Sequence, residues 1–373
     1  MMKKGKELTL ANLSGKTTER TPVALFTWGY NYIWKVAGIE PWRLAFGGDE
    51  TWHKAHMALY HRHKPDMINY SGAGSGLLDP RLDGEDAANW YVTDINTGVA
   101  YTMVKSSATF YETKVGPTVC NPVGVINSKA DADRLCKPFT GYGDSYLNGL
   151  SRLIKELGDD VLVAPNMATS YIFACYAMGF EPSMVAMVED PDLFQYVMDI
   201  CAKNLDLRMV ELRSAGTETL IVADAWSTAD IISPVLYEKF CYPSQKEILL
   251  AARKHGIKTL FWDEGDIRPQ LPRLSALPCD AFSSEQERKG VYVSVGELAA
   301  SFKGKCIFGN LDSEELLVNG SGALIESETL KQIREAGDAP FVVFTGSPLP
   351  DDADPDRVDL VTNVARGYSR TIW

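Results

Sequence analysis

The chain has 373 residues, 45% of them hydrophobic and 23% charged, with a net charge of -12. That balance supplies a large core and excludes a disordered chain, and its acidity argues against a nucleic-acid partner or an anionic membrane, which call for a basic face. No apolar stretch reaches the roughly 18 residues of a spanning helix. The opening "MMKKGKELTLANLSG" lacks the apolar run of a signal peptide. The seven cysteines (Cys120, Cys136, Cys175, Cys201, Cys241, Cys279, Cys306) are odd in number and widely spaced, with no CxxC pair. Such usage fits reduced thiols in a soluble cytoplasmic protein.

Short apolar runs recur along the chain: 22–28, 66–70, 161–166, 219–224, 257–262, 280–285, 306–310 and 341–346. Most are continuously apolar, as expected of strands buried on both faces of a parallel sheet. Helical patterns separate them and carry end signals. Ser233 and Pro234 open one helix, with Gly256 past its end; Asp354, Pro355 and Gly367 repeat the arrangement near the C-terminus. The stretch 181–216 reads as a helical pair broken at Asp190-Pro191 and stopped at Gly216. Residues 71 to 160 interrupt the alternation with a Gly-rich loop, "GSGLLDPRLDGED", and a hairpin turning at Asn96-Thr97-Gly98. The expected fold is an α/β (β/α)8 barrel, residues 1–373, with an insertion at about 71–160 after the second strand. The runner-up is a doubly wound open sheet, weakened by the lack of G-x-G-x-x-G after the first strand.

Barrel active sites lie at the C-terminal strand ends. Those ends here carry Trp28 and Tyr30, Asn69 and Tyr70, Asn166 and Tyr171, Asp224 and Trp226, Asp263 and Glu264, Glu285, Asn310, and Ser347. Asp224, Asp263, Glu264 and Glu285 are the catalytic candidates; Trp28, Tyr30, Tyr70, Asn166, Tyr171, Trp226, Asn310 and Ser347 are the substrate-binding ones. An acidic, aromatic, amide-bearing mouth suits a cation, a metal or an uncharged aromatic ligand, and suits a polyanion badly. Asp266 and Asp312 read as caps of the helices that follow. The aromatic run Trp28 to Trp34 serves equally as core packing or as a substrate wall. Pairing with Arg268 or Arg288 would make the strand-end acids structural. The histidines of "HKAHMALYHRH" (His53, His56, His61, His63) precede the second strand and read as a solvated helix face without a functional metal.

The stretches "IVADAWSTADIISPVLYEKFCYPSQKEIL", "FGNLDSEELL" and "FVVFTGSPLPDDADPDRVDLV" resemble the uroporphyrinogen decarboxylase superfamily. That resemblance implies a (β/α)8 barrel and either porphyrinogen decarboxylation or methyl transfer to or from corrinoid cofactors. The decarboxylase pattern has arginines after strand one, where this chain reads "LFTWGYNY"; its strand-two Asp is met by Asn69, Tyr70 or Ser71, and its Gly-His-Gly by Gly346-Ser347-Pro348. The methyltransferase pattern has a His-x-Cys zinc site on strand five and a Cys after strand eight. Here Phe261 and Asp263, or Trp262 and Glu264, and then Ser347 stand at those places. Glu264 and Glu285 are then the candidate zinc ligands, since hard oxygens hold zinc too. The departures fit the methyl-donor side of an anaerobic O-demethylase system. There, a methoxylated aromatic or methylated amine gives its methyl group to cob(I)alamin on a separate corrinoid protein, with zinc or a general acid assisting the leaving heteroatom. A non-catalytic ligand-binding barrel, a thiol-alkylating methyltransferase and a porphyrinogen decarboxylase are the competing readings.

Overall fold

The structure, a computed structural model, describes residues 4–29, 31–72, 80–95, 97–105, 110–114, 116, 122–286 and 290–370. Its strands are β1 (Ala24–Leu25), β2 (Met67–Tyr70), β3 (Pro80–Glu85), β4 (Asn89–Asp94), β5 (Ala100–Val104), β6 (Phe110–Glu112), β7 (Leu162–Ala168), β8 (Thr219–Asp224), β9 (Lys258–Asp263), β10 (Ala281–Ser284), β11 (Cys306–Phe308) and β12 (Phe341–Val342). Eight of them form one parallel sheet in the order β1-β2-β7-β8-β9-β10-β11-β12. A parallel bridge from Val23 to Val343 brings the last strand back to the first. The backbone bonds Ala24 N–H to Val343 O and Val343 N–H to Pro22 O, each 2.9 Å, seal the join. This is the expected (β/α)8 barrel, each predicted apolar run overlapping one of its strands, with β7 and β9 running past the predicted ends to Ala168 and Asp263.

The runs are apolar throughout because both strand faces are buried. Ala24, Phe26, Met67, Leu162, Ala164, Ile221, Ala223, Leu260, Trp262, Ala281, Cys306, Phe308, Val342 and Phe344 form the barrel interior. Their alternate neighbours, such as Leu25, Ile68, Val163, Val222, Phe261, Phe282, Ile307 and Val343, join the larger core against the helices. This two-residue alternation decides what each strand end presents to the mouth.

The helix signals behave as their chemistry requires. The Ser233 hydroxyl accepts from Leu236 N–H, and the Asp354 carboxylate accepts from Asp356 N–H, each ahead of a proline. The stretch 181–216 forms three helices rather than two: Phe180–Glu189, Pro191–Ala202 and Leu205–Ser214. The second break falls at Asn204, whose φ of 63° puts it in the left-handed region.

Between β2 and β7 lies a separate four-stranded antiparallel sheet, β3-β4-β5-β6. The β4–β5 hairpin matches expectation. Gly98 (φ 71°) donates to Asp94 O at 2.7 Å, and Thr97 Oγ1 donates to Asp94 Oδ2 at 2.6 Å. Asn96 lies outside the described residues. The expected Gly-rich loop is corrected in its second half, which is β3: Leu82 packs inward while Gly84 sits at a register shift against β4. The sheet rests on Trp42, Ala45 and Phe46 through Val92 and Met103. Among the described residues no single helix is long and apolar enough to cross a membrane; the joint candidate, Ser170–Met178 with Phe180–Glu189, is bent by 109°.

Candidate functional site

Parallel strands put all their C-terminal ends at one rim, so Asp224, Asp263, Glu264 and Glu285 share that end of the barrel. Alternation then separates them. Asp224 and Asp263 fall in phase with Val222 and Phe261, which pack toward the helices. Glu264 follows Trp262, and Glu285 is in phase with Ala281, which line the interior.

Glu285 is 1% exposed, and its contacts reach across the mouth. Its Oε1 accepts from Ser347 Oγ at 3.0 Å, from the segment after β12. Its Oε2 accepts from Gly265 N–H at 3.0 Å, from the segment after β9. Gly265 has a φ of 99°, and a Cβ there would collide with Thr228 Oγ1, so only glycine presents its N–H this way. Beside this clamp, Trp262 Nε1 donates to Gly346 O at 2.8 Å. Trp28 lies 6.5 Å from Trp262, ring centre to ring centre, and both rings pack on Phe26. Trp28 and Glu264 are both half-buried at this rim.

Asp224 and Asp263 are register partners on β8 and β9, and neither is exposed. Gln245 Nε2 donates to Asp224 Oδ2 at 3.0 Å and lies 3.1 Å from Ser227 Oγ, which in turn donates to Asp263 Oδ1 at 3.2 Å. Thr169 Oγ1 adds a longer bond to Asp224 Oδ2, 3.3 Å. Burial raises the Asp224 carboxyl to about 7, and burial together with the charge of Asp224 raises Asp263 well above the carboxylate range. Two desolvated acids side by side do not both ionise near neutrality.

The other predicted residues are distributed as follows. Asn166, half-buried, follows the interior residue Ala164 on β7. Tyr70 is buried outside the interior cluster, stacked on His56, and donates to Tyr146 O at 3.2 Å. Tyr171 is fully buried and donates to Trp226 O at 2.9 Å. The Trp226 ring meets Tyr176 and Phe180 edge-on. Asn310 Nδ2 donates to Val293 O at 2.8 Å, and its Oδ1 accepts from Gln332 Nε2 at 3.1 Å. Tyr30 and Arg288 lie outside the described residues. Arg268 pairs with Asp266 at 2.7 Å, and Asp312 accepts from the backbone N–H of Glu314 and Glu315, each at 2.9 Å.

The expectation of a solvated histidine face is corrected. In the helix Asp49–His63, His53, His56 and His63 are buried. Running antiparallel to β2, this helix lays His56 Nε2 2.6 Å from Ser71 O, and burial lowers the His56 imidazole to about 4. At the helix end, His63 bridges Tyr32 OH (2.8 Å) and Asp359 Oδ1 (2.7 Å).

Sequence reasoning missed Gln245, Ser227, Thr169 and Thr228. Gln245 carried a usable signal: it lies in phase with the buried Cys241, Ile248, Leu249 and Ala252 of its helix, where a polar side chain needs a buried partner. Among the described residues no three His, Cys, Asp or Glu side chains converge as a metal site.

Eight parallel strands closed on themselves, with acids and indoles at the C-terminal rim, define a (β/α)8 barrel. The chain belongs to the uroporphyrinogen decarboxylase (URO-D) family, whose pattern it matches over residues 105–368. It is similar to the methylcobamide:CoM methyltransferase MtbA of Methanosarcina mazei, at 22% identity over 198 residues. That match covers 53% of this chain and 56% of that protein, so the chain spans little more than half the length of this curated relative. A solved methyltransferase from Methanosarcina mazei shares the fold with a TM-score of 0.73, 15% identity and 98% of both chains covered. A B12-independent methionine synthase from Shewanella sp. W3-18-1 gives a TM-score of 0.53 at 11% identity, over 93% of this chain and 96% of that one.

Proposed function

We propose that the protein is a methyltransferase that moves a methyl group from a small methylated compound, a methoxylated aromatic or a methylated amine, to a corrinoid carried by a separate protein. The observation that carries this reading is the buried Glu285, fixed by Ser347 and Gly265 beside the Trp28–Trp262 wall. When bound, the partner's cobalt(I) corrinoid supplies the nucleophile for the methyl carbon. The chain's part is to orient the donor and help the leaving heteroatom. The indole wall packs the donor's apolar body. Glu264, half-buried at the rim, gives a proton to the heteroatom, and the Glu285 carboxylate stabilises the protonated, cationic donor, whose heteroatom leaves as a neutral phenol or amine when its bond to the methyl carbon breaks. The catalytic candidates Asp224 and Asp263 support this centre from behind, through the segments that follow β8 and β9. Zinc is the other form of assistance. Glu264 and Glu285 are two carboxylates where a catalytic zinc site takes three protein ligands. Among the described residues no third side chain completes that set.

Family membership alone leaves porphyrinogen decarboxylation open, but "LFTWGYNY" offers no arginine to hold substrate carboxylates. The similarity to MtbA favours a second reading, transfer from a methylated corrinoid to a thiol. Against it, Asp263 or Glu264, and then Ser347, stand where the thiolate ligands are expected.

Anaerobic incubation with free cob(I)alamin and a panel of methoxylated aromatics and methylamines tests the proposal. The expected result is enzyme-dependent conversion of the cob(I)alamin spectrum to that of methylcobalamin. No conversion with any donor, together with demethylation of methylcobalamin by a thiol, overturns it in favour of the second reading.

A further inference from the structure

Ser313 lies one residue beyond the Gly309–Asp312 stretch and is fully buried. Its backbone N–H donates to Gln286 Oε1 at 2.6 Å, and its hydroxyl lies 3.2 Å from that same oxygen. The hydroxyl is also 3.2 Å from Pro348 O, to which it donates. One side chain thereby touches the residue after Glu285 and the residue after Ser347. Two further features hold the same segments together. A Cβ on Gly346 would collide with the backbone N of Gln286, so glycine permits main chain to approach main chain there. Gly346 N–H donates to Leu311 O at 2.9 Å, and Leu311 N–H donates to Phe344 O at 3.1 Å, knitting the ends of β11 and β12.

From this geometry we infer that Ser313 is a positioning residue: it sets the separation between the segments after β10 and β12, and so holds the Ser347 hydroxyl on the Glu285 carboxylate. It does not touch the ligand. The family-like stretch Gly309–Asp312 shares this work. Asn310 spends its amide on Val293 O and Gln332, with Glu285 O at a long 3.5 Å. Gln332 Oε1 fills the space a Cβ on Gly309 would take, at 2.5 Å. These residues are built around Glu285 as a frame, which accounts for so many buried polar groups behind a rim that needs one fixed carboxylate. The role in turnover rests on the methyl-transfer reading; the geometric role does not.

Ser313→Ala removes the hydroxyl, keeps the N–H to Gln286 and adds no volume. Ser321→Ala is the control, since Ser321 only caps the helix Gly322–Glu335. Two measurements decide. Crystal structures of the parent and Ser313→Ala should show the Ser347 Oγ to Glu285 Oε1 distance lengthening past about 3.5 Å, the limit of a hydrogen bond. In the cob(I)alamin assay, kcat should fall by about 10- to 100-fold, the scale of a small misplacement, with KM for the donor within about twofold. Ser321→Ala should lower the melting temperature and leave kcat alone. An unchanged contact in the Ser313→Ala crystal overturns the inference, as does an active parent whose kcat survives the substitution. A parent inactive with every donor refutes the methyl-transfer reading, and the crystal comparison then still decides whether Ser313 positions Glu285.

Discussion

Glu285→Gln separates a chemical role for this carboxylate from a structural one. The carboxylate accepts from Gly265 N–H at Oε2 and from Ser347 Oγ at Oε1. A glutamine has one acceptor and one donor end. Its Oε1 must face Gly265, whose backbone N–H can only donate; its Nε2 then faces Ser347, whose hydroxyl can turn and accept. Both contacts survive as neutral hydrogen bonds. For these two contacts the cost is the difference between charge-assisted and neutral bonds, about 1–2 kcal/mol, which a domain stable by roughly 5–15 kcal/mol tolerates. The variant should therefore fold. Loss of the negative charge that stabilises the protonated heteroatom should slow transfer by about 100-fold or more, equivalent to about 2.7 kcal/mol in the barrier. Circular dichroism melting and the cob(I)alamin assay on one preparation check both halves. If turnover per folded molecule matches the parent, Glu285 is structural and the proposed centre is wrong.

Three further outcomes follow from the same geometry. Gly265→Ala meets both a φ of 99° and the Thr228 hydroxyl, so it should cost about 1–3 kcal/mol and lose more activity than its melting curve explains; a parent-like melting temperature and kcat would refute the clamp. Asp224→Asn should stabilise the protein by an amount that grows with pH. The folded Asp224 carboxyl, at about 7, sits above its unfolded value near 3.8, so ionising it opposes folding progressively from about pH 4 to pH 7, at about 1.4 kcal/mol per unit. The buried His56 works in the opposite direction below about pH 6.5, so the measurement is the difference in melting temperature between variant and parent across that range; a difference independent of pH contradicts a raised Asp224. Trp262→Phe keeps an aromatic ring in the interior but loses the 2.8 Å bond to Gly346 O, and should destabilise by about 1 kcal/mol while raising KM for an aromatic donor; unchanged KM would remove Trp262 from the substrate wall.

The barrel was legible because parallel strands buried on both faces leave mostly unbroken apolar runs, and most of the runs ended in or next to a polar residue at the same rim. That feature also hid the site's inner arrangement. In "LFWDEG" nothing apolar alternates with anything polar, so sequence does not reveal that Leu260 and Trp262 face the interior while Phe261 faces the helices. Asp263 and Glu264 therefore read as equivalent, although one residue of phase sends them to opposite sides of the strand. The same one-residue ambiguity separates Asp224 from Glu285. The sheet β3–β6 was half legible: the Asn-Thr-Gly turn marked one hairpin, but β3 holds a proline and a glycine and carries its only apolar tooth at Leu82. The histidines were misread because four polar rings on one helix suggest a wet face, while partners far along the chain, Ser71, Tyr32 and Asp359, make burial affordable. Sequence could not pair those groups, any more than it could pair Ser313 with Gln286. Distant hydrogen bonds at strand ends have no period, so what a barrel does with its rim is legible only once the strands' phase is fixed.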